Sequence, residues 1–165
     1  MNAEPSSAPT ATFAYTVYIA ASAEQVWRAF VDSEFTRRHF LHEHVSDWKP
    51  GSRWEHIRAD GSGVVDIAGA VLESAPPRRL VLTWARPAVA EDLRRPSRVT
   101  LDIEAQGPVT HLTVTHELPA AGSEYHRGMA AGWPKVISNL KTLLETGRTL
   151  DLDWGRLKKL GGWKP

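Results

Sequence analysis

The longest amphipathic pattern in the chain lies near its C-terminal end. Apolar residues recur there at spacings of three and four, which places them on one face of a helix. That face comprises Met129, Trp133, Val136, Ile137, Leu140, Leu143 and Leu144. Gly147 offers a stop, because glycine readily adopts the left-handed conformation that closes a helix. We predict one helix from about Ser123 to Thr146, bent at Gly132-Trp133-Pro134, where proline removes a backbone donor.

Before this helix, apolar and polar positions alternate, as they do in strands with one buried face. The predicted strands are Phe13 to Ala20, Ser52 to Ala59, Val64 to Ser74, Arg79 to Ala85, Arg98 to Ala105 and Val109 to Glu117. Turn signals separate them, and the clearest are Pro50-Gly51, Asp60-Gly61-Ser62-Gly63, Pro76-Pro77 and Gln106-Gly107-Pro108. This order of strands and turns indicates an antiparallel sheet.

Two short helices are predicted after the first strand. Ser22 and Gln25 fit a capping box, in which each side chain bonds the backbone N–H of the other residue. Asp32 or Ser33 can cap a second helix through Phe35 and Arg38. Two further segments are predicted to be loops, namely His39 to Lys49 and Arg86 to Pro96.

These elements predict an α+β fold in which a curved antiparallel sheet of about six or seven strands surrounds the long C-terminal helix. A bent sheet and one helix usually leave space between them, so we expect an apolar cavity there. The folded domain is expected to span residues 12–147. Met1 to Ala11 is expected to be a disordered leader, and Arg148 to Pro165 a tail that folds back over the domain or packs on another copy.

Composition narrows the class of protein. The chain has 165 residues, 42% hydrophobic and 24% charged, which is typical of one soluble globular domain. Twenty Lys and Arg against 19 Asp and Glu give a net charge of +1, so no global field attracts nucleic acid or anionic membrane. The absence of cysteine excludes disulfides and thiolate ligands. We therefore expect a cytoplasmic protein with neither a nucleic-acid nor a membrane partner.

Several segments, taken in order, resemble a known family. They are Val17 to Phe30, Asp47 to Trp54, Gly69 to Glu73, Pro76 to Leu80, Leu112 to Glu117 and Gly132 to Gly147. The chain is similar to the bacterial activator of heat-shock protein 90 ATPase homologue-like proteins, within the START-like (SRPBCC) ligand-binding superfamily of birch-pollen-allergen-type fold. The resemblance implies a helix-grip fold with a hydrophobic cavity. Two features depart from the family pattern: Arg37-Arg38-His39-Phe40 replaces an aromatic pair, and the tail after Gly147 has no counterpart.

The walls of the expected cavity form the candidate site. Trp54, Trp84 and Trp133 lie where the sheet meets the helix, and each can either line a pocket or pack the core. The full candidate ligand-binding set is Phe30, Phe40, Trp54, Ile67, Trp84, Leu101, His116, Trp133 and Ile137. We expect a small hydrophobic or aromatic ligand, with no cofactor and no metal.

Other polar clusters have a functional and a structural interpretation. A first group, His39, His42, His44 and His56, could ligate a transition metal, but solvated loop histidines are the favoured interpretation. A second group, Arg86, Arg94, Arg95 and Arg98, could attract an anionic head group, although a solvated loop also explains it. His116 beside Glu117 could act as an acid or base, but a hydrogen bond that stabilises the strand end is the simpler role.

Three functions remain open, because the superfamily fold hosts many of them. The first is non-enzymatic binding of a hydrophobic ligand. The second is a chaperone-linked interaction module that uses the tail from Trp154 to Trp163, which could also mediate a homodimer. The third is a polyketide cyclase-like or hydrolase enzyme that uses His116 and Glu117. No catalytic motif is evident, which favours the first.

Overall fold

A computed structural model describes residues 10–154 of the chain. Its strands are β1 (Ala11–Ile19), β2 (His42–Val45), β3 (Arg53–Arg58), β4 (Val65–Ala75), β5 (Arg79–Trp84), β6 (Ser97–Gln106) and β7 (Val109–Leu118). Its helices are α1 (Ala23–Val31), α2 (Ser33–His39), α3 (Ala90–Arg94) and α4 (Glu124–Thr146). The strands form one antiparallel sheet in the order β1-β7-β6-β5-β4-β3-β2. The predicted α+β helix-grip architecture is thus confirmed.

Two segments predicted as loops contain regular structure. Residues 42–45 form β2, which pairs with β3. Along β2 the buried His42 and His44 alternate with Glu43 and Val45, which are more exposed. A search for alternating apolar residues misses such a strand, since its inward residues are imidazoles. Residues 90–94 form the one-turn helix α3, with Glu91 in its first turn, where acidic side chains favour the helix dipole.

The predicted helix ends are confirmed. Ser22 and Gln25 form the reciprocal capping box of α1. Asp32 caps α2 by accepting from the backbone N–H of Glu34. The long helix α4 begins at the cap Ser123, continues through Pro134 as one element and ends at Gly147, which has φ 75°.

Helix α4 approaches β1 more closely than it approaches the middle strands of the sheet. The sheet itself bends, with irregular pairing between His56 and Ile57 and again between Val71 and Glu73. Large side chains must therefore bridge from the helix to the middle of the sheet. The bulkiest of them at this junction are Phe30, Phe40, Trp54, Trp84 and Trp133.

The chain folds back along α4 after Gly147. Asn139 on α4 accepts from the backbone N–H of Leu150 at 2.7 Å and donates to the carbonyl of His39 at 3.1 Å. Trp154 packs against the main core. The fold-back alternative for the tail is therefore observed for residues 148–154.

The remaining termini bear on two earlier expectations. The segment expected to be a disordered leader lies, apart from its last two residues, outside the described residues, and so does most of the proposed interaction segment from Trp154 to Trp163. Strand β1 begins at Ala11, two residues before the predicted start.

Between residues 10 and 154, none of the helices combines the length and the apolar character needed to cross a membrane.

Candidate ligand-binding site

A small apolar void lies between the middle of the sheet and α4. It is lined by Phe30, Phe40, His44, Leu80, Leu82, Trp84, Val99, Leu101 and Trp133. Its volume is about 10 Å³. That is roughly the space one water molecule requires. The expected hollow is thus present only as a small void, because aromatic and imidazole rings fill most of it.

All nine residues of the candidate ligand-binding set are buried. Five of them line the void, namely Phe30, Phe40, Trp84, Leu101 and Trp133. The other four, Trp54, Ile67, His116 and Ile137, pack in the surrounding interior. Sequence reasoning missed four lining residues, His44, Leu80, Leu82 and Val99. The three aliphatic ones share the strand alternation that identified Leu101, whereas His44 lies on the strand that was predicted to be a loop.

Aromatic rings form a continuous layer around the void. Trp84 lies between Trp54 and Trp133, with ring centroids 5.1 and 5.7 Å away. Phe40 meets Trp133 edge to face at 5.9 Å. Such pairs contribute about 0.5–1.5 kcal/mol each beyond the area they bury. The layer is therefore a stable wall that also offers flat apolar surfaces.

His116 is held in one tautomer by its neighbours. The indole N–H of Trp133 donates to His116 Nδ1 at 3.0 Å, so Nδ1 is unprotonated and Nε2 carries the proton. Nε2 then donates to Ser97 Oγ at 2.8 Å, and the Ser97 hydroxyl donates to the Trp84 carbonyl at 2.8 Å. Ser97 gives no proton to the imidazole, and burial lowers the pKa of His116 to about 3. The predicted strand-stabilising hydrogen bond is present, and this geometry does not suit acid–base catalysis at neutral pH.

Four histidines that were interpreted as solvated are buried instead. They are His39, His42, His44 and His56, none more than 5% exposed. His44 Nδ1 donates to the Phe30 carbonyl at 2.8 Å, so its Nε2 accepts from His56 Nδ1, also at 2.8 Å. His39 Nε2 donates to the carbonyl of Ala29 at 2.6 Å. The solvated interpretation is wrong, because all four rings are buried and most of their nitrogens bond backbone carbonyls or polar side chains. Among the described residues, His39 Nδ1 is buried without a partner.

His42 differs from its neighbours because both of its ring nitrogens face acceptors. Nδ1 lies 3.0 Å from the Phe40 carbonyl, and Nε2 lies 3.0 Å from a carboxylate oxygen of Asp66. Each nitrogen is therefore placed within hydrogen-bonding distance of an oxygen acceptor. Arg58 binds the same carboxylate with two hydrogen bonds of 2.7 and 2.8 Å. Burial works against ionisation of Asp66, but the bonds from Arg58 and His42 prevail and lower its pKa.

The other buried imidazoles are neutral at physiological pH. Burial lowers the pKa of His39 to about 4 and that of His44 to about 3. Burial, followed by electrostatic interaction with His42, whose ring stacks on His56 at 3.8 Å, lowers the pKa of His56 well below its ordinary value. Across residues 10–154, no group of three or more histidine, aspartate or glutamate side chains is arranged to hold a metal ion.

Three of the four clustered arginines form ion pairs. The pairs are Arg86 with Asp92 at 2.6 Å, Arg94 with Glu91 at 2.6 Å and Arg98 with Glu117 at 3.8 Å. Arg86 also lies over the ring of Tyr125, with its guanidinium carbon 3.9 Å from the ring centre. Their charges are thus largely balanced by neighbouring carboxylates rather than left available for an anion.

The fold and the apolar void between sheet and helix define a helix-grip protein. The family described as "Activator of Hsp90 ATPase homolog 1-like protein" has a sequence model that matches residues 20–145. This chain belongs to that family. Among curated proteins, none matches it in sequence.

Several solved structures share the fold. The Aha1 dimer of Colwellia psychrerythraea is 18% identical over 83% of this chain and 98% of its own, with a TM-score of 0.70. CalU16 of Micromonospora echinospora is 22% identical over 91% of this chain and 83% of its own, with a TM-score of 0.67. An HSP90 activator from Plasmodium falciparum is 23% identical over 81% and 96%, with a TM-score of 0.66. Their low identity makes these matches evidence for the fold alone.

Proposed function

We propose that this protein binds a small apolar or aromatic molecule between the sheet and α4, in the cytoplasm and without catalysing its conversion. The observation that supports this most is the void, since eight of its nine lining residues are apolar or aromatic. The fixed tautomer of His116, which leaves neither ring nitrogen available for proton transfer, supports a role without catalysis.

A ligand larger than one water requires the site to open. Helix α4 is the element suited to this, because Pro134 removes a backbone hydrogen bond beside Trp133, which lines the void. An aromatic ligand that buries about 200 Å² gains about 5 kcal/mol at the usual 25 cal/mol per Å². That gain can offset the cost of moving one helical segment.

Native mass spectrometry of protein purified without detergent tests the proposal. We expect a retained small molecule, seen as extra mass that disappears on denaturation. Leu101→Phe adds bulk to the void and is expected to reduce the retained fraction severalfold, while costing about 1–3 kcal/mol of stability. Leu72→Phe is the matched control, because Leu72 is 47% exposed on β4. A wild-type mass equal to that of the bare chain, together with no thermal shift from small apolar compounds, would refute ligand binding.

A chaperone-linked role is a second candidate, favoured by the family and by the likeness to an HSP90 activator. We expect the protein to raise ATP hydrolysis by a bacterial Hsp90, measured as phosphate release. Removing residues 155–165 leaves the Asn139 anchor and packed Trp154 in place, so this variant tests the tail alone. Loss of stimulation in that variant would locate the contact in the tail. Unchanged ATP hydrolysis with the full-length protein would exclude the role for that chaperone.

A further inference from the structure

The segment that follows α4, residues 148–154, lies outside the region shared with the family, because the family model ends before it. These residues, called the strap below, form neither a helix nor a strand. They lie along α4 nevertheless. The backbone N–H of Leu150 donates to Asn139 Oδ1 at 2.7 Å, and Lys135 donates to the carbonyl of Asp153 at 2.7 Å. The contacts move back along α4 as the chain advances, so the strap runs antiparallel to that helix.

The strap connects α4 to α2 through one buried amide. Asn139 is only 2% exposed, and its oxygen accepts from Leu150 while its NH₂ group donates to the carbonyl of His39, at the end of α2, at 3.1 Å. Arg38 on α2 donates to the carbonyl of Gly147, directly before the strap, at 2.8 Å. A buried amide bonded on both sides has one fixed orientation. The two helices and the strap are therefore held together at Asn139.

The junction between α2 and α4 leads to the void. Phe40, the residue that follows His39 and caps α2, and Trp133 on α4 both line the void, and their rings meet at 5.9 Å. Trp154, at the end of the strap, packs against the same core. Moving α2 away from α4 would separate Phe40 from Trp133 and open the void on this side. The strap opposes that movement, because its bonds reach both helices.

The strap is held less firmly than the elements on which it lies. Its bonds to Asn139 and Lys135 each join one side chain to one backbone group, whereas neighbouring strands share continuous backbone ladders. Leu150 is 39% exposed, and Asp151 and Asp153 are exposed as well. Segments with few buried contacts open locally at a fraction of the free energy of global unfolding. The strap can thus leave its place while the sheet stays intact.

We propose that the strap keeps the junction between α2 and α4 closed, and that an apolar ligand reaches the void through this junction when the strap leaves Asn139. The entry route rests on the proposed function, since it leads to the same site. The closure itself needs no ligand. It requires only that Trp133 become more accessible to solvent when the strap is absent.

Hydrogen exchange of two indole N–H groups, followed by NMR, tests the closure without a ligand. The indole of Trp133 donates to His116 at 3.0 Å and lies at the junction, whereas the indole of Trp54 donates to the Thr83 carbonyl at 2.9 Å within the sheet. Opening of the junction exposes the first indole, and global unfolding exposes both. The ratio of the two exchange rates therefore reports the junction alone.

Two shortened chains, compared with the full-length protein, isolate the strap. A chain that ends at Trp154 keeps the strap, and a chain that ends at Gly147 lacks it. Between these two, we expect exchange at Trp133 to accelerate roughly tenfold, the factor that corresponds to one or two net hydrogen bonds. Exchange at Trp54 should change by less than about twofold.

A pair of lysine variants in the full-length chain repeats the test without shortening it. Lys135→Met loses the bond to the strap but keeps a similar aliphatic stem. Lys141→Met is the matched control, because Lys141 bonds the carbonyl of Tyr18 at 2.8 Å on the β1 side of the same helix. We expect the first variant to accelerate exchange at Trp133 about threefold relative to Trp54, and the second to leave that ratio unchanged.

Two results would overturn the closure. Equal acceleration at Trp133 and Trp54 would show that the strap adds only to global stability. An unchanged rate at Trp133 in the chain that ends at Gly147 would show that α2 and α4 stay together without the strap.

Toluene as a probe tests the entry route. Its association and dissociation rates, measured by NMR line shape, should both rise about tenfold when the strap is removed, because the closed junction slows passage in both directions. Binding with unchanged rates would overturn the route and leave ligand binding intact. Binding to neither the full-length nor the shortened protein would overturn the proposed function together with the route, while the exchange ratio of the two indoles still decides the closure.

Discussion

Acidification to about pH 4.5 is expected to unfold this domain, because it buries several imidazoles in their neutral form. The folded-state pKa values are about 4 for His39 and about 3 for His44 and His116, against an ordinary value of 6.5. Between the folded and the unfolded values, the unfolded chain binds more protons than the native protein. The free energy of unfolding therefore falls as the pH falls below about 6.5. Above that pH the histidines are neutral in both states, and they do not lower the stability.

The expected size of this effect decides the outcome. Each such histidine lowers the free energy of unfolding by about 1.4 kcal/mol for every pH unit below about 6.5. Three together lower it by about 4 kcal/mol per unit. A domain with a total stability of about 5–10 kcal/mol, the lower part of the usual range, then unfolds between about pH 4 and 5.5. The lowered pKa of Asp66 adds a loss only at lower pH, near and below the ordinary carboxyl value of 3.8.

Urea unfolding followed by circular dichroism at a series of pH values measures this dependence. His116→Gln keeps one donor and one acceptor for Ser97 and Trp133 but removes one titrating group. We expect it to reduce the slope below pH 6 by about a third of the three-histidine value. A native protein that stays folded at about pH 3.5, or a variant with the full slope, would contradict the assignment of neutral buried histidines.

Gly69→Ala is expected to destabilise the fold by about 3 kcal/mol or more. A methyl group at this position of β4 would overlap the backbone carbonyl oxygen of Thr83 and lie 2.7 Å from its carbonyl carbon. That carbonyl also accepts the indole N–H of Trp54 at 2.9 Å. The backbone cannot rotate away as a side chain could, so the substitution pushes β4 from β5 and breaks this bond.

Chemical denaturation at neutral pH measures the loss, and a second variant tests its cause. The Thr83 hydroxyl accepts the Ala70 N–H at 2.7 Å and is also near the added methyl group. If the backbone carbonyl is the obstacle, combining Gly69→Ala with Thr83→Ala does not restore stability. Restoration in the double variant, or a single variant within about 1 kcal/mol of wild type, would show that the strands can separate at little cost.

Much of the architecture could be predicted because its signals are local. Alternating apolar residues identified the longer strands, and the caps Ser22 and Gly147 fixed helix ends to the residue. The missed strand β2 shows the limit of that method. His42 and His44 are buried there only because Asp66 and the Phe30 carbonyl meet their ring nitrogens, and both partners come from other elements.

The candidate site was harder to predict than the fold for a related reason. Inward positions such as Leu101 and Trp133 follow from periodicity, but whether they enclose space depends on how far the helix stands from the sheet. The volume left over is a small difference between the gap and the side chains that fill it.

The layer of indoles has an optical consequence. Trp84 lies 5.1 Å from Trp54 and 5.7 Å from Trp133, with the ring planes inclined at 45° and 49°. Chromophores this close and inclined couple their electronic transitions, so the far-ultraviolet dichroism of the native protein contains an aromatic band superimposed on the peptide signal. Helix content calculated from such a spectrum would be distorted, whereas the coupled band itself would report the order of the interior independently of the backbone.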